Sequence, residues 1–409
     1  MIKKVLILTS VVILLTFVGA AYFLYSISRS FKKLNQGVLS SEFVTDTIPF
    51  RYSCSGHILI DVKVNEGKSF SSFILDSGAS NIVFKRFSEE MSFENNGFTL
   101  SQGAAENWFL GHIKNIKSIQ FGKIAFDNLN AKEIVFDGEC QENICGIIGI
   151  GVMHHFVWQI DFERQQIIVA KRPDDLEFGS NYFEIPLNEN KKSHHLRTKV
   201  RFGENRPLKS VLVDLGSNST LFLSERDVLN DSIKYLSKGI LGQASKGLGE
   251  EDSVITYRYY KTDSLFFNNS DFAVSDVTVC TASKSLNLLG LGFFENYKTT
   301  INWPDKKLIL EPVHPNSGFI GKTKGFSLIY NKDKSVAEIG ALVENTAASK
   351  ANFKLKTQVI AINEISLLNY ESYCRYRNTD LSNDTIEVTF KGEDGSKRIV
   401  RLLEEPIFD

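Results

Sequence analysis

The sequence predicts a mainly β chain: two homologous β lobes, then a small α+β domain, with one apolar helix ahead of them. Three observations predict this. SFILDSGASNIVF around Asp76 overlays SVLVDLGSNSTLF around Asp214 at a shift of 138 residues, without a gap. Further on, GIIGIGVMHHFVWQIDFERQQIIVA overlays NLLGLGFFENYKTTINWPDKKLILE at a shift of 141, so that Gly149 meets Gly290. Around these landmarks, runs such as HILIDVKV and QQIIVAK alternate apolar and polar residues and are broken by Gly, Asn and Asp, the pattern of half-buried strands. Two ordered landmarks at nearly equal spacing mark a duplicated unit.

The N-terminal element spans residues 1–27. Residues 5–27 carry no charge, and at about 1.5 Å per helical residue such a run crosses a bilayer core of roughly 30 Å. Lys3 and Lys4 precede it, Arg29, Lys32 and Lys33 follow it, and Tyr22 and Tyr25 sit where an interfacial aromatic belt falls. This predicts a single-pass membrane anchor with the rest of the chain outside the cytoplasm. The alternative is a signal peptide cut near Gly19-Ala20-Ala21, which leaves a secreted protein.

Residues 28–52 read as a polar stalk, 53–180 as lobe 1 and 181–312 as lobe 2. Within lobe 2, SERDVLNDSIKYL (224–236) reads as a helix with Ser224 as its N-cap. The stretch 313–325 carries three Gly and reads as a linker. Residues 326–409 follow as strand (FSLIY), strand (AEIGALV), short helix (AASKANF), strand (QVIAINE), helix (NYESYCRY) and strand (TIEVTF), with another strand near RIVRLL.

Composition excludes some classes. At 409 residues and 43% hydrophobic, the chain can bury a sizeable core. Lys+Arg 47 against Asp+Glu 48 leaves no basic footprint for nucleic acid. Five cysteines are too few for a disulfide scaffold. Cys140 and Cys145 share a polar loop (GECQENICG) and could pair in an exported chain; Cys54, Cys280 and Cys374 are buried thiols or bridges. His154-His155 and His194-His195 lack an acid or cysteine spacing that completes a zinc site, so no metal is expected.

FILDSGAS followed by GIIG resembles one lobe of a retropepsin-like aspartic protease, and VLVDLGSNS followed by LLG resembles the second. The resemblance spans both lobes. It implies pepsin-like β-barrel lobes with Asp76 and Asp214 as the catalytic dyad, and Ser77, Gly78, Ala79, Gly216 and Ser217 as supporting loop residues. It also implies a polypeptide substrate in the inter-lobe cleft, no cofactor, and flaps drawn from residues 100–125 and 240–262, with Trp108 as a candidate flap aromatic. The residue types suit the chemistry. Two adjacent carboxyls share one proton, so one can activate water while the other supplies a proton.

Leu215 departs from the family pattern, which has Ser or Thr there to bond across the lobe interface. Two readings therefore stand: an aspartic endopeptidase, or a catalytically weak or inactive protease-derived ectodomain that binds peptides. The C-terminal segment is similar to a PDZ domain. Ala348, Ala351, Ile360, Ile362 and Asn363 fit the bacterial pattern, while Asn352, Lys356 and Thr357 replace its usual Gly, Gly and Asp. The similarity implies docking of a C-terminal peptide, with Gly325, Phe326, Ser327 and Leu328 as the candidate carboxylate loop; a closing domain that binds no peptide is the alternative.

Overall fold

The structure is a computed structural model. The described residues are 2–65, 67, 69–102, 108–136, 140, 143–203, 207–229, 236–242, 257–268, 272–283, 285–313, 319, 321–351, 353–379 and 385–408; of 2–8, 10–12, 23–24, 26–28, 31, 101–102 and 108–109 only the backbone is described.

Lobe 1 is built from β1 (Thr45–Pro49), β2 (Ile58–Val64), β3 (Phe70–Leu75), β4 (Ile82–Phe84), β5 (Glu94–Gln102), β6 (Trp108–Phe121), β7 (Ile124–Ile134), β8 (Ile144–Ile148), β9 (Val157–Asp161) and β10 (Gln166–Ala170). Lobe 2 repeats the set as β11 (Phe183–Pro186), β12 (Leu196–Phe202), β13 (Lys209–Asp214), β14 (Leu221–Ser224), β15 (Ser237–Gly242), β16 (Tyr257–Phe267), β17 (Ala273–Ala282), β18 (Leu288–Gly290), β19 (Tyr297–Asn302) and β20 (Lys307–Pro312). Each lobe-1 strand has a counterpart ten labels on.

In each lobe six strands close a ring. The order is β2-β3-β8-β4-β7-β6 and back to β2, repeated as β12-β13-β18-β14-β17-β16 and back to β12. Closure leaves no edge among these strands. Period-two alternation sets the faces: Ile58, Ile60, Val62 and Val64 point into the main core, while Asp61 points out. The β3–β8 and β13–β18 pairs are parallel, so each acid strand runs beside the strand that leads to Gly149 or Gly290.

A six-stranded sheet joins the lobes in the order β11-β20-β19-β9-β10-β1. It reads the same from either end under the repeat. At its centre β9 pairs antiparallel with β19, Trp158 opposite Ile301. One core runs through both lobes beneath it, including Trp158, Phe156, Phe293 and Trp303.

Three segments differ from the sequence reading. Residues 28–52 are not a loose stalk. The first helix, α1 (Ile2–Leu34), continues into them, and its end docks on lobe 1 through buried Leu34 and a 2.8 Å bond from Lys33 Nζ to the Asn96 carbonyl. Val38–Leu39 then pairs with β7, and β1 pairs with β10. The segment 313–325 is not a free linker either. Phe319 is buried, stacks on Phe293 at 5.2 Å, and its carbonyl accepts from Thr278 N–H at 3.1 Å. The expected helix at 224–236 is described as Glu225–Leu229, and its remainder lies outside the described residues. The uncharged run 5–27 lies within α1, but among the described residues no helix is long and apolar enough to cross a membrane.

The C-terminal domain contains β21 (Phe326–Asn331), β22 (Val336–Val343), the short helix Ala347–Lys350, β23 (Gln358–Ile362), α2 (Tyr370–Arg377), β24 (Thr385–Lys391) and β25 (Lys397–Leu403). It has its own core, with Leu328, Ile339, Val359, Tyr373, Ile386 and Val388. It grips both lobes. On lobe 2, β15 pairs with β22, and the Gly239 N–H donates to Glu344 Oε2 at 2.7 Å. On lobe 1, Cys140 forms a disulfide with Cys374 of α2. This corrects the expected Cys140–Cys145 pair. Cys145 is fixed within β8, its sulfur 3.7 Å from the Asn143 carbonyl, whereas Cys140 lies in the loop ahead of β8 with a positive φ of 59°. The Cys140 N–H donates to Tyr370 Oη at 3.1 Å, so Cys140 lies against α2.

Candidate active site

Asp76 follows β3 directly and Asp214 is the last residue of β13. Apolar strands carry them to the lobe interface because Leu75, Val211 and Val213 are anchored in the core. Both aspartates are 9% exposed, so burial treats them alike. The turns that follow are matched. The Gly78 N–H donates to Asp76 Oδ1 at 2.7 Å, and the Gly216 N–H donates to Asp214 Oδ1 at 2.9 Å.

The two glycines explain how close the turns come. A Cβ on Gly78 would stand 2.5 Å from Asp214 Oδ1. A Cβ on Gly216 would clash with Cγ and Oδ2 of Asp76. Each glycine therefore lies against the carboxylate of the opposite lobe, a contact that only the missing side chain permits. The glycines of the second repeat hold the loops from behind. A Cβ on Gly149 would meet the carbonyls of Ala79 and Ser80, and one on Gly290 those of Ser217 and Ser219. Ile150 N–H donates to the Ala79 carbonyl at 2.8 Å and Leu291 N–H to that of Ser217 at 2.6 Å.

Burial pushes the Asp214 carboxyl well above its usual range, and the negative charge of Asp76 and a hydrogen bond to its side chain push the same way; N–H donation from Gly216 and Ser217 opposes this in part. A carboxyl hydrogen-bonded to another carboxyl retains a proton, and that proton belongs to the pair. The arrangement offers a carboxylate and a carboxylic acid side by side, the requirement for base and acid work on one water.

The supporting bonds are one-sided. Ser77 is buried; its Oγ donates to the Val213 carbonyl at 2.9 Å and accepts from Leu215 N–H at 2.9 Å. Its counterpart Leu215 is a fully buried core residue. It cannot return the bond.

Other residues stand here that the motif did not single out. His195 Nε2 lies 2.9 Å from the Gly78 carbonyl, and His57 faces Asp76 and the Gly216 carbonyl. Burial lowers both imidazoles below their usual range, against the pull of Asp76. Lys132 is buried on β7, and burial lowers it to about 8, again opposed by Asp76. Asn218 Nδ2 bonds the Ser55 carbonyl, tying the second acid loop to the turn before β2. The signal that could have found the histidines is the repeat itself, because a shift of 138 carries His57 onto His195.

The remaining candidates lie elsewhere. Both expected flaps fall on hairpins, β5–β6 and β15–β16, whose tips at 103–107 and 243–256 are outside the described residues, as is the Trp108 side chain. Phe326, Ser327 and Leu328 are in β21 of the C-terminal domain, paired with β22, and the Gly325 carbonyl accepts from Val343 N–H at 2.9 Å. On the α2 side, Tyr373 Oη donates to the Leu328 carbonyl at 3.2 Å. His154 stacks on His194 at 4.2 Å between ring centres and lies tilted against His155 at 3.9 Å. Among the described residues no group of three or more His, Cys, Asp or Glu could hold a metal ion.

No protein-family model matches the chain, and no curated protein matches it by sequence. Among solved structures it is similar to the aspartic proteinase from Irpex lacteus, with a TM-score of 0.41 at 10% identity, covering 67% of this chain and 99% of that one.

Proposed function

We propose that this chain is an aspartic endopeptidase that hydrolyses polypeptides with water activated between Asp76 and Asp214. The observation that carries this reading is the crossed contact of each glycine with the opposite acid, which brings two buried carboxyls within hydrogen-bonding reach. In the proposed reaction one carboxylate takes a proton from water as the oxygen adds to the scissile carbonyl. The partner's proton goes to the carbonyl oxygen; as the C–N bond breaks, the proton taken from water passes to the departing nitrogen and a diol hydroxyl returns its proton to the partner, restoring the pair. Substrate lies between the lobes beneath the β5–β6 hairpin.

Two further roles belong to this reading. The run 5–27 anchors the chain in a membrane with the lobes outside the cytoplasm. The C-terminal domain docks a partner's chain end along β21. The second reading, a peptide binder that does not cut, is favoured by one observation: Leu215 leaves the inter-lobe bond one-sided.

A peptide-library digest decides between them. An enzyme cleaves and loses cleavage with Asp76→Asn. A binder retains peptide with no turnover in either form.

A further inference from the structure

The repeat duplicates more than the acids. At the same shift of 138, Ser55 and His57 fall on Ser193 and His195. Both pairs close the same local bond: His57 Nδ1 lies 2.7 Å from Ser55 Oγ, and His195 Nδ1 lies 2.8 Å from Ser193 Oγ. One of the rings then bonds across the interface: His195, before β12 in lobe 2, has Nε2 2.9 Å from the Gly78 carbonyl of lobe 1. His57, just before β2 in lobe 1, faces Asp76 and the Gly216 carbonyl.

We propose that His195 is a positioning residue that clips the first acid loop to lobe 2, supplying the tie that Leu215 cannot. This rests on the reading of Asp76 and Asp214 as a working dyad. A carbonyl oxygen only accepts, so Nε2 of His195 carries the hydrogen and Nδ1 accepts from the Ser193 hydroxyl. The neutral ring is then satisfied at both nitrogens. The groups facing His195 are Asp76, Arg197 and Lys132; the charge facing His57 is Asp76. The clip is placed to matter because Gly78 touches the Asp214 carboxyl. A shift of the Gly78 peptide moves the surface against which that carboxyl rests. Ser77 already ties its own loop to Val213 and Leu215; His195 is the tie that starts from lobe 2.

The test is a double-mutant cycle on the full chain. His195→Ala is expected to lower kcat about tenfold or more with KM nearly unchanged, since orientation rather than binding is lost. His195→Gln keeps an N–H donor and should recover most of it. Leu215→Thr offers the reciprocal hydroxyl, so it should raise kcat in the His195→Ala background and change the wild type little. Equal effects of Leu215→Thr in both backgrounds, or a His195→Ala kcat within about twofold of wild type, overturn the proposal.

A second measurement does not depend on turnover or on a folded variant. Nitrogen-15 NMR of the wild-type imidazoles should show His195 neutral with its hydrogen on Nε2 at pH 7, with its titration displaced below the unperturbed histidine value. The opposite tautomer, or an ordinary titration near 6.5 (the unperturbed histidine value), overturns the clip whether or not the protein is an enzyme. A locked Nε2–H tautomer without any turnover instead removes the protease reading and leaves the clip standing.

Discussion

Leu215 donates its backbone N–H to the Ser77 hydroxyl across the lobe interface at 2.9 Å, and its own side chain can give nothing back. The acid loops are thus joined by an unequal bond, and the weight of that junction falls on Ser77. Its hydroxyl serves a carbonyl and an N–H that are both buried at the contact.

Ser77→Ala should therefore cost more than an ordinary serine deletion. Two bonds are lost and a buried N–H is left unsatisfied, about 2–3 kcal/mol in all. Denaturant unfolding should show this loss, and kcat should fall by about tenfold or more. A variant as stable and active as the wild type would mean that Ser77 is a bystander.

Gly216→Ala tests the crossed contact. The new methyl must displace the Asp76 carboxyl, and misplacing a reacting group by about 1 Å can cost about a hundredfold in rate. Peptide turnover should drop on that scale, while far-UV circular dichroism at room temperature stays near wild type.

The pH dependence of stability has a worked sign. Burial lowers His57, His154 and His195, and burial with the neighbouring His154 and His194 lowers His155 to about 4. His155 is solvent-exposed in the fold, so water moderates its share. Groups held neutral in the fold let the unfolded chain bind more protons as pH falls below about 6.5. Their contribution is present above that pH and is lost as pH falls toward each folded value. Asp214 and Glu295, both raised by burial in the fold, act in the opposite direction above the usual carboxylate range. Four imidazoles against two carboxyls predict a Tm that falls between pH 6.5 and pH 4 (the span of unperturbed histidine and carboxylate values). A flat or rising Tm over that interval contradicts the assignment.

The Cys140–Cys374 bond joins residues 234 apart in sequence and links lobe 1 to α2. Closing so long a loop stabilises by about 5–6 kcal/mol in the chain-entropy account. Non-reducing peptide mapping should recover this pair and no Cys140–Cys145 pair. Cys374→Ser should lower the unfolding midpoint and leave the lobes' secondary structure in place.

Much of the frame was legible in the sequence because the duplication keeps its spacing. Asp76 and Asp214 lie together, and Gly149 and Gly290 lie behind their loops, as two aligned landmarks suggest. What was not legible depended on contacts between distant segments. Residues 45–49 read as stalk because five residues show no pattern by themselves; they become a strand only beside β10. Phe319 reads as linker because its partners, Phe293 and Thr278, precede it by many residues. The cysteine pairing could not follow from proximity in sequence, since Cys145 is held in β8. His57 and His195 were hidden differently: the repeat aligns them, but the role of His195 appears only where its ring meets the Gly78 carbonyl of the other lobe.

The central claim is that Asp76 and Asp214 form one hydrolytic site. The most direct measurement is mass-spectrometric digestion of a peptide library by the full chain and by Asp76→Asn, from pH 3 to pH 7 (about the range a shared-proton pair suggests). The account predicts defined cleavage products with the wild type and their loss, by at least about a thousandfold, with the variant. Products that persist unchanged in Asp76→Asn, or no products from either form, would contradict it.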